Sequence, residues 1–174
     1  MELEYGFTDH FQMSVYQRAQ HTHDSVRDGD FDYTGSKYEV KYRIGEKGQL
    51  PVDTTLYAEY IHGEGPNDTD KLEYKLILSK DIDRFNFTYN QIIEHDAAEA
   101  NKTAYEYAAG MFYEVNPAWH LGAESAGNYT TDSYRMGPTI SYATEKFWIT
   151  IGVVRTLKDR GDDFRGRLIV GIPF

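Results

Sequence analysis

Apolar and polar residues alternate with a period of two along nearly the whole chain, the pattern of strands with one apolar and one polar face. Tyr38, Val40, Tyr42 and Ile44 fall on one face, and Glu39, Lys41 and Arg43 on the other. Leu72, Tyr74, Leu76 and Leu78 are likewise set against Glu73 and Lys75. Phe85, Phe87 and Tyr89 oppose Asn86, Thr88 and Asn90, and Tyr134, Met136, Pro138, Ile140 and Tyr142 oppose Arg135, Thr139 and Ser141. The alternation predicts eleven strands. The first six are Glu2–Thr8, Phe11–Arg18, Lys37–Gly45, Thr54–His62, Lys71–Ser79 and Arg84–Ile93. The remaining five are Ala104–Val115, Ala118–Asn128, Ser133–Ala143, Lys146–Leu157 and Asp163–Phe174.

The connections sort by length. Asp9-His10, Glu46–Asp53, Lys80–Asp83, Asn116-Pro117 and Thr144-Glu145 form one set, mostly short. Ala19–Ser36, Gly63–Asp70, Glu94–Thr103 and Tyr129–Asp132 form the other, with the acidic Lys158–Asp162. In an up-and-down order each set falls at one end, as with the short turns and longer loops of transmembrane barrels.

Alternation alone does not say which face is buried. The aromatics bear on this. Phe7, Phe11, Phe85, Tyr113, Trp119, Tyr142, Phe147 and Phe174 lie on the apolar face beside the short turns or at the end of the chain. Tyr38, Tyr60, Tyr74, Tyr89, Tyr105, Tyr134 and Phe164 lie toward the long loops, with mostly aliphatic residues between. Two aromatic girdles around an aliphatic band suit anchoring at two membrane interfaces. The expectation is therefore an all-β, antiparallel, up-and-down transmembrane β-barrel of about 11–12 strands, spanning 1–174 as a single domain. A soluble ligand-binding β-barrel is the alternative, since aromatics also favour strands in general.

Composition changes the picture only in places. Mean hydropathy is −0.63, but lipid-facing and interior residues cancel in a barrel average. No run reaches the about 18 apolar residues of a transmembrane helix. A net charge of −10 argues against nucleic acid as a partner. With no cysteine, disulfides and thiolate metal sites are excluded. Met1-Glu2-Leu3-Glu4-Tyr5 has neither a basic nor an apolar leader region, so the chain reads as a mature or trimmed form. Single-chain bacterial barrels have even strand numbers, so eleven points to a twelve-stranded parent lacking an N-terminal strand, or to a count of ten or twelve here.

The last strand, Phe164-Arg-Gly-Arg-Leu-Ile-Val-Gly-Ile-Pro-Phe174, resembles the amphipathic, Phe-ended C-terminal strand of bacterial outer-membrane β-barrel proteins. Pro173 departs from that pattern. The hairpin Glu4-Tyr5-Gly6-Phe7-Thr8-Asp9-His10-Phe11-Gln12-Met13 is similar to hairpins of outer-membrane barrels in the meta-pathway phenol-degradation and copper-resistance groups. The resemblance implies a bacterial outer-membrane location. It implies outer-membrane lipid and lipopolysaccharide as surroundings, and the barrel assembly machinery as a partner of the C-terminal strand.

The candidate chemistry lies on the polar face. It carries Glu4, Glu39, Glu59, Glu73, Glu106 and Glu124 against Lys41, Arg43, Lys75, Arg135, Arg165 and Arg167. Enclosed charges must be paired or wet. They form either a structural lattice that blocks the lumen or a polar path that selects small solutes. Asp28, Asp30, Asp32 and Glu39 imitate a calcium loop, but Tyr33 stands where its turn needs glycine. His21, His23, His62 and His95 gather toward the long loops without fixed geometry. His120, Glu124 and Ser141 share the inner face, yet no local signature of a nucleophile surrounds them. The sequons at Asn67, Asn86, Asn101 and Asn128 carry little in a bacterial protein. No catalytic residue, metal or cofactor is expected. The functional expectation is a small pore or transporter-like barrel for small polar solutes.

Overall fold

A computed structural model describes residues 1–21, 31–64, 69–98, 102–158 and 164–173. Eleven strands form one antiparallel sheet whose spatial order is the sequence order. They are β1 (Glu2–Gly6), β2 (Phe11–His21), β3 (Phe31–Ile44), β4 (Asp53–Gly63), β5 (Lys71–Ile82) and β6 (Phe85–Asp96), followed by β7 (Thr103–Asn116), β8 (Trp119–Asn128), β9 (Ser133–Ala143), β10 (Trp148–Lys158) and β11 (Phe164–Gly171). Among the described residues no helix is long and apolar enough to cross a membrane.

Local chemistry accounts for the hairpins. Two residues join β5 to β6, and the first of them, Asp83, has φ +52°. A tight hairpin turn needs that left-handed conformation, and aspartate tolerates it. Asn116 Oδ1 accepts the backbone N–H groups of Ala118 and Trp119 and so closes the turn between β7 and β8. The eight residues between β3 and β4 turn through Gly45 and Gly48, at φ +72° and +79°.

Several strands run beyond the lengths read from the pattern. β3 begins at Phe31 rather than Lys37, pairing Ala19 with Tyr33 and His21 with Phe31. A bulge between Arg18 and Ala19 lies at Gly35, where φ is +127°. A bulge shifts the side-chain phase by one residue, so period-two reading stops there although the ladder continues.

The sheet is not closed into a barrel. β1 pairs with β2 alone, and β11 with β10 alone. Both edge strands have odd positions in an up-and-down order and therefore run in the same direction. Direct β1–β11 pairing would be parallel, whereas every ladder in the sheet is antiparallel.

The sheet curls toward its polar face. Arg167 on β11 bonds to Glu124 on β8, three strands away. On a flat sheet three steps of about 4.8 Å would separate these strands by about 14 Å. Lys41 on β3 reaches Glu4 on β1 at 3.7 Å. Such contacts place the charged face on the concave side.

Candidate functional site

The burial pattern inverts that of a soluble domain. The buried polar residues are Ser14, Ser36, Glu39, Glu59 and Thr139, while Tyr57, Ile61 and Ile92 are the only large apolar side chains buried among the described residues. Leu76, Ile151 and Leu168 are 41%, 47% and 65% exposed, and they share the outer face with most other large apolar residues. Contiguous apolar surface of this extent is rare on soluble monomers and marks a surface that meets a partner or a membrane.

The inner face of the first half of the sheet is an ordered charge lattice. Strand register sets Glu39, Glu59, Glu73 and Glu94 side by side across β3, β4, β5 and β6. Like charges opposed across a sheet repel. One lysine per glutamate relieves this, taken alternately from the two flanking rows. Lys41 bonds Glu39 at 2.5 Å, Lys37 bonds Glu59 at 3.0 Å, Lys75 bonds Glu73 at 2.7 Å and Lys71 bonds Glu94 at 2.8 Å. Glu39 and Glu59 are only 3% exposed, so these partners matter most there. Glu39 also accepts hydrogen bonds from the hydroxyls of Tyr16 and Tyr57, both at 3.0 Å, and of Ser14 at 3.4 Å. The Tyr57 ring sits under two ammonium groups, Lys75 at 4.1 Å and Lys41 at 5.9 Å from its centroid.

The second half is organised differently. β6 and β7 present small or neutral groups, including Thr88, Asn90, Ala108 and Gly110, with the Phe112 ring lying over Gly110 and Gly122. Beyond them the lining carries three guanidinium groups, Arg135, Arg165 and Arg167, and one carboxylate, that of Glu124. These residues line a cavity of about 590 Å³ on the concave face. Arg167 takes one oxygen of Glu124. The other, Oε1, is buried without a partner, as is Oδ1 of Asn90.

Every polar-face residue singled out from the sequence lies on the concave side, but the pairing differs from simple cancellation. Glu106 accepts the Asn128 amide at 2.6 Å instead of a cation. Arg43 turns to Glu46 at the short-turn end, at 3.3 Å. Lys37, Lys71 and Glu94 belong to the lattice but fall at or just beyond the strand ends as the alternation bounds them, although Lys37 lies in the middle of β3. Tyr16, Tyr57 and Phe112 also face inward, and alternation with charged neighbours is the signal that marks them.

The aromatic residues assigned to the short-turn girdle cluster on the outer face. Phe7 meets Phe11 at 5.8 Å, Phe85 meets Tyr113 at 5.0 Å, Trp119 meets Tyr142 at 4.7 Å and Tyr142 meets Phe147 at 6.0 Å between ring centroids. Phe174 lies outside the described residues. At the other end Tyr107 packs near Tyr89, Tyr129 and Tyr134, over Gly127.

The remaining sequence candidates disperse. Asp28, Asp30 and His23 lie outside the described residues, as do the sequon positions Asn67 and Asn101. Asp32 and His21 sit in strands, and Glu39 points into the charge lattice rather than toward a loop. His62 bonds Asp70 at 2.7 Å and His95 bonds Thr103 at 3.0 Å. The Asp70 carboxyl is held below the usual carboxylate range, first by the Tyr60 hydroxyl and then by His62. Ser141 stands opposite His120, but its hydroxyl shares a hydrogen bond with Thr150 at 2.8 Å. Among the described residues, no group of three or more His, Asp or Glu side chains is placed to hold a metal ion. No family model matches the chain, and no curated protein matches it.

Proposed function

We propose that the chain forms the wall of a bacterial outer-membrane β-barrel that passes small polar solutes along a charged lumen, without catalytic chemistry of its own. The observation that carries this reading is the inverted polarity: buried carboxylates and serines inside the curl, exposed leucine, isoleucine, valine and tyrosine outside. A bilayer turns that outer surface from a liability into the stabilised one. Hydrocarbon also tolerates no unpaired strand edge, because each unsatisfied backbone group costs several kcal/mol there. In this reading one further strand, antiparallel to both β1 and β11, closes the barrel at an even count. Lipid and lipopolysaccharide then surround the wall, and the barrel assembly machinery receives the C-terminal strand. A lumen of this size, crossed by long charged side chains, is narrow compared with a 16-stranded porin.

The test is conductance of the closed barrel in planar bilayers. Small steps, well below those of a general porin, are expected. Porin-sized steps would contradict the narrow lumen. The Arg167–Glu124 bridge across three strands favours one second reading, a structural barrel with a blocked lumen. Persistent silence, even after Arg165→Gln and Arg167→Gln, would select it.

A further inference from the structure

Among the described residues, each glutamate of the β3–β6 lattice has its own lysine. The cavity on β6–β11 is not matched in this way. Among the described residues Arg135 and Arg165 form no ion pair, yet both line it. Two guanidinium groups without a carboxylate on a half-enclosed wall bind a carboxylate well, since the planar fork matches its two oxygens. Glu124 and Asn90 line the same cavity, and each carries a buried oxygen, Oε1 and Oδ1, that accepts no hydrogen bond from the described residues. A buried acceptor without a donor is costly, and its need is for an N–H or O–H group.

From this we infer that the cavity is a binding site for a small zwitterionic amino acid, resting on the reading of the concave face as a solute path. Its carboxylate meets Arg135 and Arg165, and its ammonium group meets Glu124 Oε1 and Asn90 Oδ1. Arg135 and Arg165 lie near the start of β9 and β11, so the carboxylate end points toward the long loops. Ala108, Gly110, Phe112 and Gly152 supply an apolar surface for a side chain. At about 590 Å³ the cavity is within the usual range for a small-molecule site. Gly152 is part of the design: a Cβ there would stand 3.0 Å from Glu124 Oε1, the acceptor that the ammonium group uses.

The experiment titrates the full chain, in detergent micelles and in bilayer nanodiscs, with L-leucine, with 4-methylpentanoate, which lacks the ammonium group, and with isoamylamine, which lacks the carboxylate. Binding is followed by NMR shifts of the arginine Nε–H signals. L-Leucine binds most tightly, and loss of either charged group weakens binding about tenfold or more. Arg135→Gln and Arg165→Gln each weaken L-leucine and 4-methylpentanoate alike. Glu124→Gln leaves 4-methylpentanoate binding in place but removes the preference for L-leucine over it. Arg135→Lys, which keeps the charge without the fork, is intermediate and guards against a variant that fails to fold. Equal binding of L-leucine and isoamylamine, no binding to a folded wild-type protein, or indifference to both arginine substitutions would overturn the inference. The two readings fail separately. A protein that inserts in bilayers but ignores L-leucine refutes this site alone, whereas one that binds L-leucine and stays in solution without detergent refutes the membrane reading alone.

Discussion

Glycine positions are where single residues decide most. A Cβ on Gly137 would lie 1.9 Å from the Val153 carbonyl oxygen and 2.7 Å from Val154 Cα, both backbone atoms of β10. Backbone cannot swing aside as a side chain can, so Gly137→Ala must push β9 and β10 apart. A destabilisation of about 1–3 kcal/mol is expected in urea-unfolding titrations. Gly166→Ala is the control, because nothing lies within 4 Å of its Cβ position, and a change within about 0.5 kcal/mol is expected. Equal effects of the two would show that β9 and β10 are not so close. Neither role was legible beforehand, because alternation reports which face a residue occupies and not how near the next backbone comes. Asp70 acts at the long-loop end. Its folded carboxyl titrates below the ordinary range, so its contribution is present above the unfolded carboxylate pKa and is lost as pH falls through the lowered folded value. Opening of the Tyr60 and His62 amides, read as protection factors so that the intrinsic pH dependence of exchange is removed, should rise below the ordinary carboxylate range as Asp70 takes up its proton. In Asp70→Asn that rise should be absent.

Strands carry two independent codes, one on each face, and each predicts its own mutational behaviour. On the outer face of β5, Leu76→Arg should cost about 2–4 kcal/mol if the site lies near the bilayer midplane. Leu76→Val should be nearly neutral, by the same urea titration from vesicles. On the inner face of β3 and β4, Lys37→Met strands the Glu59 carboxylate without its cation. A loss of about 1–3 kcal/mol is expected, the cost of a buried acceptor left unpaired. The double variant Lys37→Met, Glu59→Leu should recover most of it, because replacing a whole buried pair is often close to neutral. Additive losses in that cycle would mean that the two residues do not interact. The strands and faces were legible in the sequence because charged residues recur at every second position, as in Glu39-Val40-Lys41. The row of glutamates across β3 to β6 was not, since it depends on register, and register is set by turns and bulges rather than by alternation. The six residues by which β3 exceeds its predicted start were hidden for the same reason, behind the phase shift at Arg18/Ala19.

At the scale of the whole molecule, one curled antiparallel sheet separates an apolar outside from a charged inside. The expected strand number was met, while the expected closure was not, because β1 and β11 run in the same direction and leave a gap that only an odd number of strands can fill with antiparallel pairing. The division of the concave face into a self-neutralised half and an arginine-rich half was only partly legible. The late position of Arg135, Arg165 and Arg167 in the sequence pointed to it, but the curl that brings Arg167 to Glu124 is a property of the assembled sheet. The central claim is that the exposed apolar face meets lipid. The chain has no cysteine, so single cysteines can be placed one at a time along β5, from position 72 to position 78, without background. Each is spin-labelled in the protein reconstituted into lipid vesicles, and its collisions with oxygen, which concentrates in the bilayer, are compared with those of a water-soluble nickel chelate. The account predicts oscillation with a period of two: oxygen dominates at 72, 74, 76 and 78, and the chelate at 73, 75 and 77. Chelate access at every position, or failure of the protein to associate with vesicles at all, would contradict it.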